Sequence, residues 1–418
     1  MKRRFLAAAA ALIMAVFLAF GASACGKVYV ADAEINSLGE LILTYSDGTV
    51  TNLGSVKGSD GTVGKDGQDG EDGVGIKDVY IDKNGHLIVE LTDGTVKDCG
   101  AFGSALEGGN VVSGDLLFSV TEENGEVIGY NVAGLNRPSA TNINVPSKVN
   151  GLPVTGIAAN AFYECEGIVS VTLPDTVRKI GELAFYHCIS LESVEFGNGL
   201  EIIDEYAFNE CFALKSVTLP KSVKSIGECA FVYCQSLETL VLNDGLTSIG
   251  DCAFGGCASL KNFNMPDSVT SIGWGMLMFG GGAGFGGGGS TENNISGIKI
   301  SAGIKEIAEF AFSGCSVKSL RLGDSVETVG YSAFYGCGAL ESVIIPKSVK
   351  RIVSFAFYQC PALTAVYYEG TEAEWKNVVV GRSNDISSDG AVKYFYSEAR
   401  PTAEGNFWHY VQGEPAKW

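Results

Sequence analysis

Histidine is scarce in this sequence, and so are the motifs that depend on it. The 418 residues include three histidines, which lie far apart at His86, His187 and His409. General acid–base catalysis and transition-metal sites draw most often on imidazole side chains. We therefore predict no histidine-based active site, no metal and no cofactor. The motifs Gly-x-Ser-x-Gly and His-Glu-x-x-His are also missing, and the sequence favours a protein that is not an enzyme.

Basic residues are outnumbered by acidic ones. The chain has 29 lysines and arginines against 48 aspartates and glutamates, which gives a formal net charge of -19. Such a charge repels the phosphate backbone of nucleic acids. We therefore predict no nucleic-acid partner.

The start of the chain, at positions 1–24, has the layout of a secretory signal. Basic residues at 2–4 precede an apolar run at 5–20, and small residues follow at 21–24. The run is short for a membrane span. The sequence Ala-Ser-Ala-Cys ending at Cys25 resembles a bacterial lipobox, in which the cysteine is lipidated and begins the mature chain. We predict an exported cell-surface lipoprotein that contacts the membrane only through this lipid, with simple secretion as the alternative.

A short internal repeat dominates the chain. Proline is scarce at 10 residues while glycine reaches 55, and a repeat rich in turns accounts for that excess. Ala-Phe pairs mark the copies and end at Phe162, Phe185, Phe208, Phe231, Phe254, Phe312, Phe334 and Phe357. A ninth, degenerate copy ends at Leu277, which follows Phe254 at the same spacing that separates Phe231 from Phe254. Each copy has a stretch such as Leu191-x-x-Val194-x-Phe196, which alternates as a strand does, and the Ile, Ala-Phe and Cys positions recur as in a helical turn.

A repeat unit this short cannot bury its own apolar side, so the copies must stack on one another. The pattern predicts a repeat solenoid with a parallel β-sheet on one face and short helical turns on the other. Glycine follows the isoleucine at Gly181, Gly227 and Gly250, but Val353 occupies the same place. Close packing between coils therefore explains these glycines better than a positive φ angle.

The repeat Ile-Gly-x-x-Ala-Phe-x-x-Cys-x-x-Leu-x-x-Val-x-Leu-Pro resembles the BspA-type leucine-rich repeats of bacterial surface proteins. The resemblance covers about 145–370, and 367–371 looks like that family's closing segment. It implies a leucine-rich-repeat solenoid and a role as a surface adhesin or interaction protein.

Eight of the 12 cysteines occupy one position of the repeat. This cysteine ladder consists of Cys165, Cys188, Cys211, Cys234, Cys257, Cys315, Cys337 and Cys360. Free cysteine behaves as a small hydrophobic residue, so the register favours a buried, reduced column; disulfides and a metal site are the alternatives. Outside the ladder, Cys229 and Cys252 lie one coil apart and are the better candidates for a disulfide.

These signals divide the chain into seven segments. They are a signal peptide (1–24), a β-hairpin unit (25–57), a collagen-like Gly-x-y spacer (58–75), a second β-hairpin unit (76–103), a solenoid lead-in (104–144), a nine-coil solenoid (145–370) with a Gly-rich insertion (280–292), and a C-terminal β and aromatic cap (371–418). Six Gly-x-y triplets without proline are too few for a stable triple helix. An extended acidic spacer in a monomer is favoured, with trimerisation or calcium binding as alternatives.

The outward strand positions carry the candidate binding site. On the late coils they include Lys299, Arg321, Ile344 and Tyr367, a mixture of cationic, apolar and aromatic side chains that is typical of interfaces. We predict that they bind an extracellular protein or glycan; the alternative is that Lys299 and Arg321 only neutralise neighbouring acidic residues. An envelope-organising structural lipoprotein is one alternative. A glycan-acting enzyme is a remote one, because glycoside hydrolysis needs paired carboxylates and the outward rows offer only Glu195.

Overall fold

A computed structural model of the chain separates it into two compact units, Met1–Phe162 and Tyr163–Trp418. The structure describes residues 30–35, 40–45, 50–55, 76–81, 86–91, 94, 96–101, 111–123, 126–137, 139–279, 293–387, 391–402 and 404–418. The predicted signal peptide, Cys25, the Gly-x-y spacer and the Gly-rich insertion lie outside these residues. No helix in the described ranges is long and apolar enough to cross a membrane.

The first unit is built from β-strands. They are β1 (Val30–Ile35), β2 (Glu40–Tyr45), β3 (Val50–Ser55), β4 (Ile76–Ile81), β5 (His86–Leu91), β6 (Val96–Ala101), β7 (Val111–Ser113), β8 (Leu116–Glu123), β9 (Glu126–Leu135), β10 (Asn142–Asn144), β11 (Lys148–Val149) and β12 (Leu152–Ile157). Strands β1–β3 and β4–β6 form two antiparallel three-stranded sheets, so each predicted hairpin has a third strand. Gly94, in the turn between β5 and β6, has a φ of 84°, which glycine adopts without strain.

A third sheet of the first unit combines both strand directions. Strands β7, β8 and β9 are antiparallel, and β12 pairs with β9 in parallel. Phe118, Val132 and Val154 are fully buried on these strands. The change from antiparallel to parallel pairing therefore occurs at β9, beside an apolar core.

The second unit is a β-solenoid, which confirms the predicted fold. Its elements are β13 (Ser170–Thr172), β14 (Lys179–Ile180), β15 (Ser193–Glu195), β16 (Ile202–Ile203), β17 (Ser216–Thr218), β18 (Ser225–Ile226), β19 (Thr239–Val241), β20 (Ser248–Ile249), β21 (Asn262–Asn264), β22 (Ser271–Ile272), β23 (Gly297–Lys299), β24 (Glu306–Ile307), β25 (Ser319–Arg321), β26 (Thr328–Val329), β27 (Ser342–Ile345), β28 (Arg351–Ile352), β29 (Ala365–Tyr368), helix α1 (Glu372–Trp375), β30 (Val379–Val380), a 3-10 turn (Asp385–Ser387), β31 (Val392–Tyr396), β32 (Phe407–Val411) and β33 (Glu414–Lys417).

Each coil contributes two strands, one more than the sequence pattern predicts. The odd-numbered strands β13–β29 form a first row, and the even-numbered strands β14–β30 form a second row. Within each row the paired strands are parallel and in register, as in Val171 with Val194 and Ile203 with Ile226. The side predicted to consist of helical turns has these two-residue strands and then turns closed by i to i+3 hydrogen bonds, such as Cys188 N–H to Phe185 O at 3.3 Å.

Stacked phenylalanine rings fill the solenoid core. The ring centroids of Phe185 and Phe208 lie 5.0 Å apart, those of Phe208 and Phe231 lie 5.1 Å apart, and the planes of each pair differ by at most 6°. A second stack of Phe312, Phe334 and Phe357 continues beyond the degenerate copy. The repeating Ala-Phe pair therefore supplies a continuous column of aromatic contacts within each stack.

Glycine follows isoleucine in several coils because neighbouring coils approach each other closely there. A positive φ angle is not the reason. At Gly227 an added Cβ would lie 2.5 Å from the carbonyl carbon of Asp204 in the preceding coil. The left-handed residues lie elsewhere. The first of them in each coil is two positions later, and every coil of the second unit except the degenerate one has a second. Leu183, Tyr206, Cys229, Cys252, Gly275, Phe310, Ser332 and Phe355 occupy this position with φ between 51° and 63°. Bulky residues rarely adopt this conformation, so the hydrogen bonds of the stack must impose it.

Side chains replace the missing next coil at the C-terminal end of the stack. One coil earlier, Phe334 N–H donates a hydrogen bond to a backbone carbonyl, Ala356 O. The equivalent Phe357 N–H donates instead to the side-chain amide oxygen of Asn384, at 2.9 Å. The carboxylate of Asp385 accepts from Cys360 N–H at 2.7 Å. The predicted solenoid boundary at residue 370 is therefore too early, because β30 and β31 still extend both rows of strands.

Candidate functional site

The alternation of side chains along the first row creates an exposed outer face. In β15, Val194 points into the core while Ser193 and Glu195 are exposed. The exposed side chains of β13, β15, β17, β19 and β21 form what we call the early-coil face. They are Thr172, Ser193, Glu195, Ser216, Thr218, Thr239, Val241, Asn262 and Asn264.

The early-coil face is rich in hydroxyl and amide groups. These groups both donate and accept hydrogen bonds. In-register pairing aligns those of β13, β15, β17 and β19 in rows at ~4.8 Å spacing, whereas β21 pairs with β23. Glu195 is the one carboxylate on this face, and its Oε2 accepts a hydrogen bond from Thr172 Oγ1 at 3.5 Å. Such a face offers hydrogen bonds to a partner but no pair of carboxylates for glycoside hydrolysis. In the described parts of the chain, no group of three or more His, Cys, Asp or Glu side chains is placed to hold a metal ion.

The late coils differ from the sequence prediction because the C-terminal strands cover them. Tyr367 shares the outer face with Ile344, its in-register neighbour, but only 8% of Tyr367 is exposed. Its ring lies 5.4 Å from that of Trp408 and 5.3 Å from that of Tyr394. The expectation that Tyr367 projects into solvent is therefore wrong. Ile344 is half-buried and packs against the same aromatic cluster.

Arg321 holds the covering strands in place. Its Nη2 lies 2.9 Å from Glu369 Oε1, and its guanidinium also bonds Asp324 and the Tyr410 hydroxyl. Partial burial lowers the pKa of Arg321. The hydrogen bonds to Tyr410, Asp324 and Glu369 together have a larger effect, so the pKa of Arg321 is raised overall. Burial and the bond to Glu369 raise the pKa of Tyr410 to about 12. Arg321 therefore forms hydrogen bonds and an ion pair that hold β32 against the solenoid.

Lys299 is the most accessible of the four predicted binding residues. Its side chain is 55% exposed on β23, and its Nζ lies 3.1 Å from Asp267 Oδ1. An exposed ion pair of this kind contributes little to stability. Lys299 therefore lies at the edge of the early-coil face with its ammonium group accessible to an acidic partner.

The ladder cysteines are thiols in this structure, and all but Cys165 are buried. The thiol of Cys211 donates to Phe185 O at 3.2 Å, and that of Cys234 donates to Phe208 O at 3.3 Å. Equivalent bonds join Cys257, Cys337 and Cys360 to the phenylalanine carbonyl one coil earlier. Burial raises the pKa of Cys257 to about 12. The ladder position therefore suits a small side chain that also has a weak hydrogen-bond donor.

A known repeat model matches the stack. Six copies of the BspA type leucine rich repeat region match residues 155–278 and 290–380, which together make up slightly more than half of the chain. The chain belongs to the BspA-type leucine-rich repeat family. The sequence resemblance is thereby confirmed, and the family includes surface antigens and adhesins. No curated protein gives a significant match to this BspA-type chain.

Solved structures similar to this BspA-type chain are bacterial leucine-rich repeat proteins. One from Bacteroides ovatus is 23% identical, with coverage of 68% of this chain and 84% of that one and a TM-score of 0.43. A leucine-rich cell surface protein from Faecalibacterium prausnitzii is 23% identical, with coverage of 65% and 97% and a TM-score of 0.28. The pneumococcal vaccine antigen PcpA is 17% identical, with coverage of 71% and 89% and a TM-score of 0.40.

Proposed function

We propose that this BspA-type protein is an exported surface lipoprotein, anchored through Cys25, that binds an extracellular protein or glycan without catalysis. The observation that carries the proposal is the early-coil face. It is an exposed set of hydroxyl and amide groups on stacked parallel strands, and the C-terminal strands leave it uncovered. The family, which includes surface antigens and adhesins, supports the same function.

The binding surface of this proposal differs from the one that the sequence suggests. It consists of the early-coil face together with Lys299 at its edge. Arg321 and Ile344 border it where the C-terminal strands begin, and buried Tyr367 contributes through packing alone. Lys299 is the one cation among the described side chains of this surface, and its partner there is Asp267. An acidic group that replaces Asp267 as the partner of Lys299 fits best at this end.

Ser216→Arg is the substitution that tests this surface. Ser216 is exposed on β17 at the centre of the early-coil face, and a long charged side chain there blocks a flat partner. Ser271→Arg is the matched control, because Ser271 is exposed on β22 in the second row. The full-length protein and both variants are measured for binding to immobilised extracellular-matrix proteins and mucosal glycans.

We expect Ser216→Arg to weaken binding at least tenfold and Ser271→Arg to leave it unchanged. Circular dichroism melting checks that both variants fold. Equal binding by the two variants would remove the early-coil face from the proposal. Binding by neither variant, with normal melting, would also overturn it, because charge alone and not position would then govern the interaction.

A further inference from the structure

Two cysteines outside the ladder are placed opposite each other on consecutive coils. Cys229 and Cys252 share the left-handed position of their coils, with φ of 53° and 51°. Cys229 N–H donates to Asp251 O and Cys252 N–H donates to Trp274 O, each at 2.8 Å. Coils joined in this way lie ~4.8 Å apart, within the Cα separation of about 4.4–6.8 Å that disulfides span.

The hydrogen bonding of this pair differs from that of the ladder. Ladder thiols donate to the carbonyl of a phenylalanine one coil earlier, whereas Cys229 and Cys252 hydrogen-bond to each other. The thiol of Cys252 donates to the sulfur of Cys229 and lowers the pKa of Cys229, and the Tyr206 hydroxyl acts in the same direction. The same bond raises the pKa of Cys252. The two sulfurs therefore interact directly with each other across the two coils.

The pair lies one side-chain layer below the surface. Cys229, Cys252 and Val232 form a buried cluster, and the half-buried rings of Tyr206, Tyr233 and Trp274 pack against it. Cys252 also faces Gly275 in the next coil, where an added Cβ would lie 3.3 Å from its sulfur. These partly exposed rings are the side chains that must move for an oxidant to reach the pair.

We propose that Cys229 and Cys252 form an inter-coil disulfide when the protein meets a disulfide-bearing oxidant, such as a small-molecule disulfide or a dithiol oxidoreductase. The Cys229 thiolate attacks one sulfur of the oxidant, breaks its S–S bond and releases one thiol. The Cys252 thiol then loses its proton to solvent and attacks the Cys229 sulfur, which forms the bridge and releases the second thiol. Two cysteines are oxidised and one disulfide is reduced to two thiols.

The bridge would join the two coils immediately before the degenerate copy at Trp274–Leu277. That copy has Leu277 in place of the phenylalanine, so the aromatic stack is interrupted there. A covalent bond between the preceding coils would compensate for this interruption. The proposal concerns the coils themselves and does not depend on the partner of the early-coil face.

The test uses the full-length reduced protein and oxidised glutathione. After incubation, free thiols are alkylated under denaturing conditions, and peptide mapping locates any bridge. We expect a Cys229–Cys252 bridge in the wild type and alkylated thiols at the ladder positions. Alkylation of both Cys229 and Cys252, or bridges spread among ladder cysteines, would overturn the proposal.

Single variants test the mixed-disulfide intermediate. Cys252→Ser and Cys229→Ser should each accumulate a stable glutathione adduct on the remaining cysteine, because neither variant can close the bridge. Cys234→Ala, a ladder variant, is the control and should still form the bridge. The absence of an adduct from both single variants, under conditions that form the bridge in the wild type, would contradict a reaction through the mixed disulfide. If a variant fails to fold, the peptide map of the wild type still decides whether the bridge forms.

Discussion

Each phenylalanine of the stacked column should contribute to the free energy of unfolding through contacts with the adjacent coils only. Phe208 is fully buried and contacts Phe185, Phe231 and Phe196, the last edge-on with centroids 6.0 Å apart. Aromatic pairs contribute about 0.5–1.5 kcal/mol each beyond their buried area, and the smaller side chain loses about 1 kcal/mol of burial. Phe208→Leu should therefore lower the free energy of unfolding by about 2–5 kcal/mol. Phe212→Leu is the control, because Phe212 is half-buried and should cost less than about 1 kcal/mol.

Double variants test the neighbour rule more sharply. Phe208→Leu with Phe231→Leu removes one shared stacked pair, so the coupling energy should be about 0.5–1.5 kcal/mol. Phe208→Leu with Phe357→Leu should be additive within about 0.5 kcal/mol, because several coils separate the two rings. Urea unfolding followed by circular dichroism measures each free energy. Equal coupling in the two double variants, or a Phe208→Leu cost no larger than that of Phe212→Leu, would refute this reasoning.

Further predictions concern the thiols, the anchor and the edge of the binding surface. Cys211→Ser should cost about 1–3 kcal/mol in urea unfolding, because the hydroxyl is less well satisfied in the apolar core; an unchanged midpoint would contradict a buried ladder. The rise in the pKa of Cys257 from 9.0 to about 12 means that its thiol stabilises the fold below pH 9, and that this contribution is lost as the pH rises toward 12. At about 1.4 kcal/mol per pH unit above pH 9, the loss is on the order of 3 kcal/mol by pH 11, and urea midpoints between about pH 8 and 11 should fall accordingly. Cys25→Ala should release the protein into the medium, and a variant that still fractionates with membranes would argue against the lipid anchor. Lys299→Glu should weaken partner binding at low salt more than at high salt; the same affinity and salt dependence as the wild type, in a protein that melts normally, would remove Lys299 from the surface.

The repeat made the solenoid predictable from the sequence. The surface that the nonrepeating C-terminal tail covers could not be predicted. Alternation along β29 places Tyr367 on the outer face, but it contains no information about Trp408, which lies far along the chain in β32 and packs over it. Arg321 was likewise predicted to face outward, and its bonds to Glu369 and Tyr410 depend on the path of the same tail. Contacts between a repeat and a unique segment leave no periodic signal in a single sequence.

The left-handed backbone positions were missed for a different reason. A glycine usually signals a positive φ angle, but Leu183, Tyr206 and Cys229 occupy this place. The hydrogen bonds from the coil on either side, such as Leu183 N–H to Glu205 O at 3.0 Å, determine the backbone there. A conformation that neighbouring coils impose can therefore be found only once their stacking is known.

Asn384 and Asp385 also bear on how such proteins behave at high concentration. A stack of coils whose last hydrogen-bonding groups were left open would resemble the growing end of a fibre, ready to recruit the first coil of another molecule. Asn384 and Asp385 accept hydrogen bonds from two of those groups, Phe357 N–H and Cys360 N–H, which are then not open to another molecule. Evolution could then lengthen or shorten the protein by whole coils upstream of Asn384 while the terminating residues stay in place.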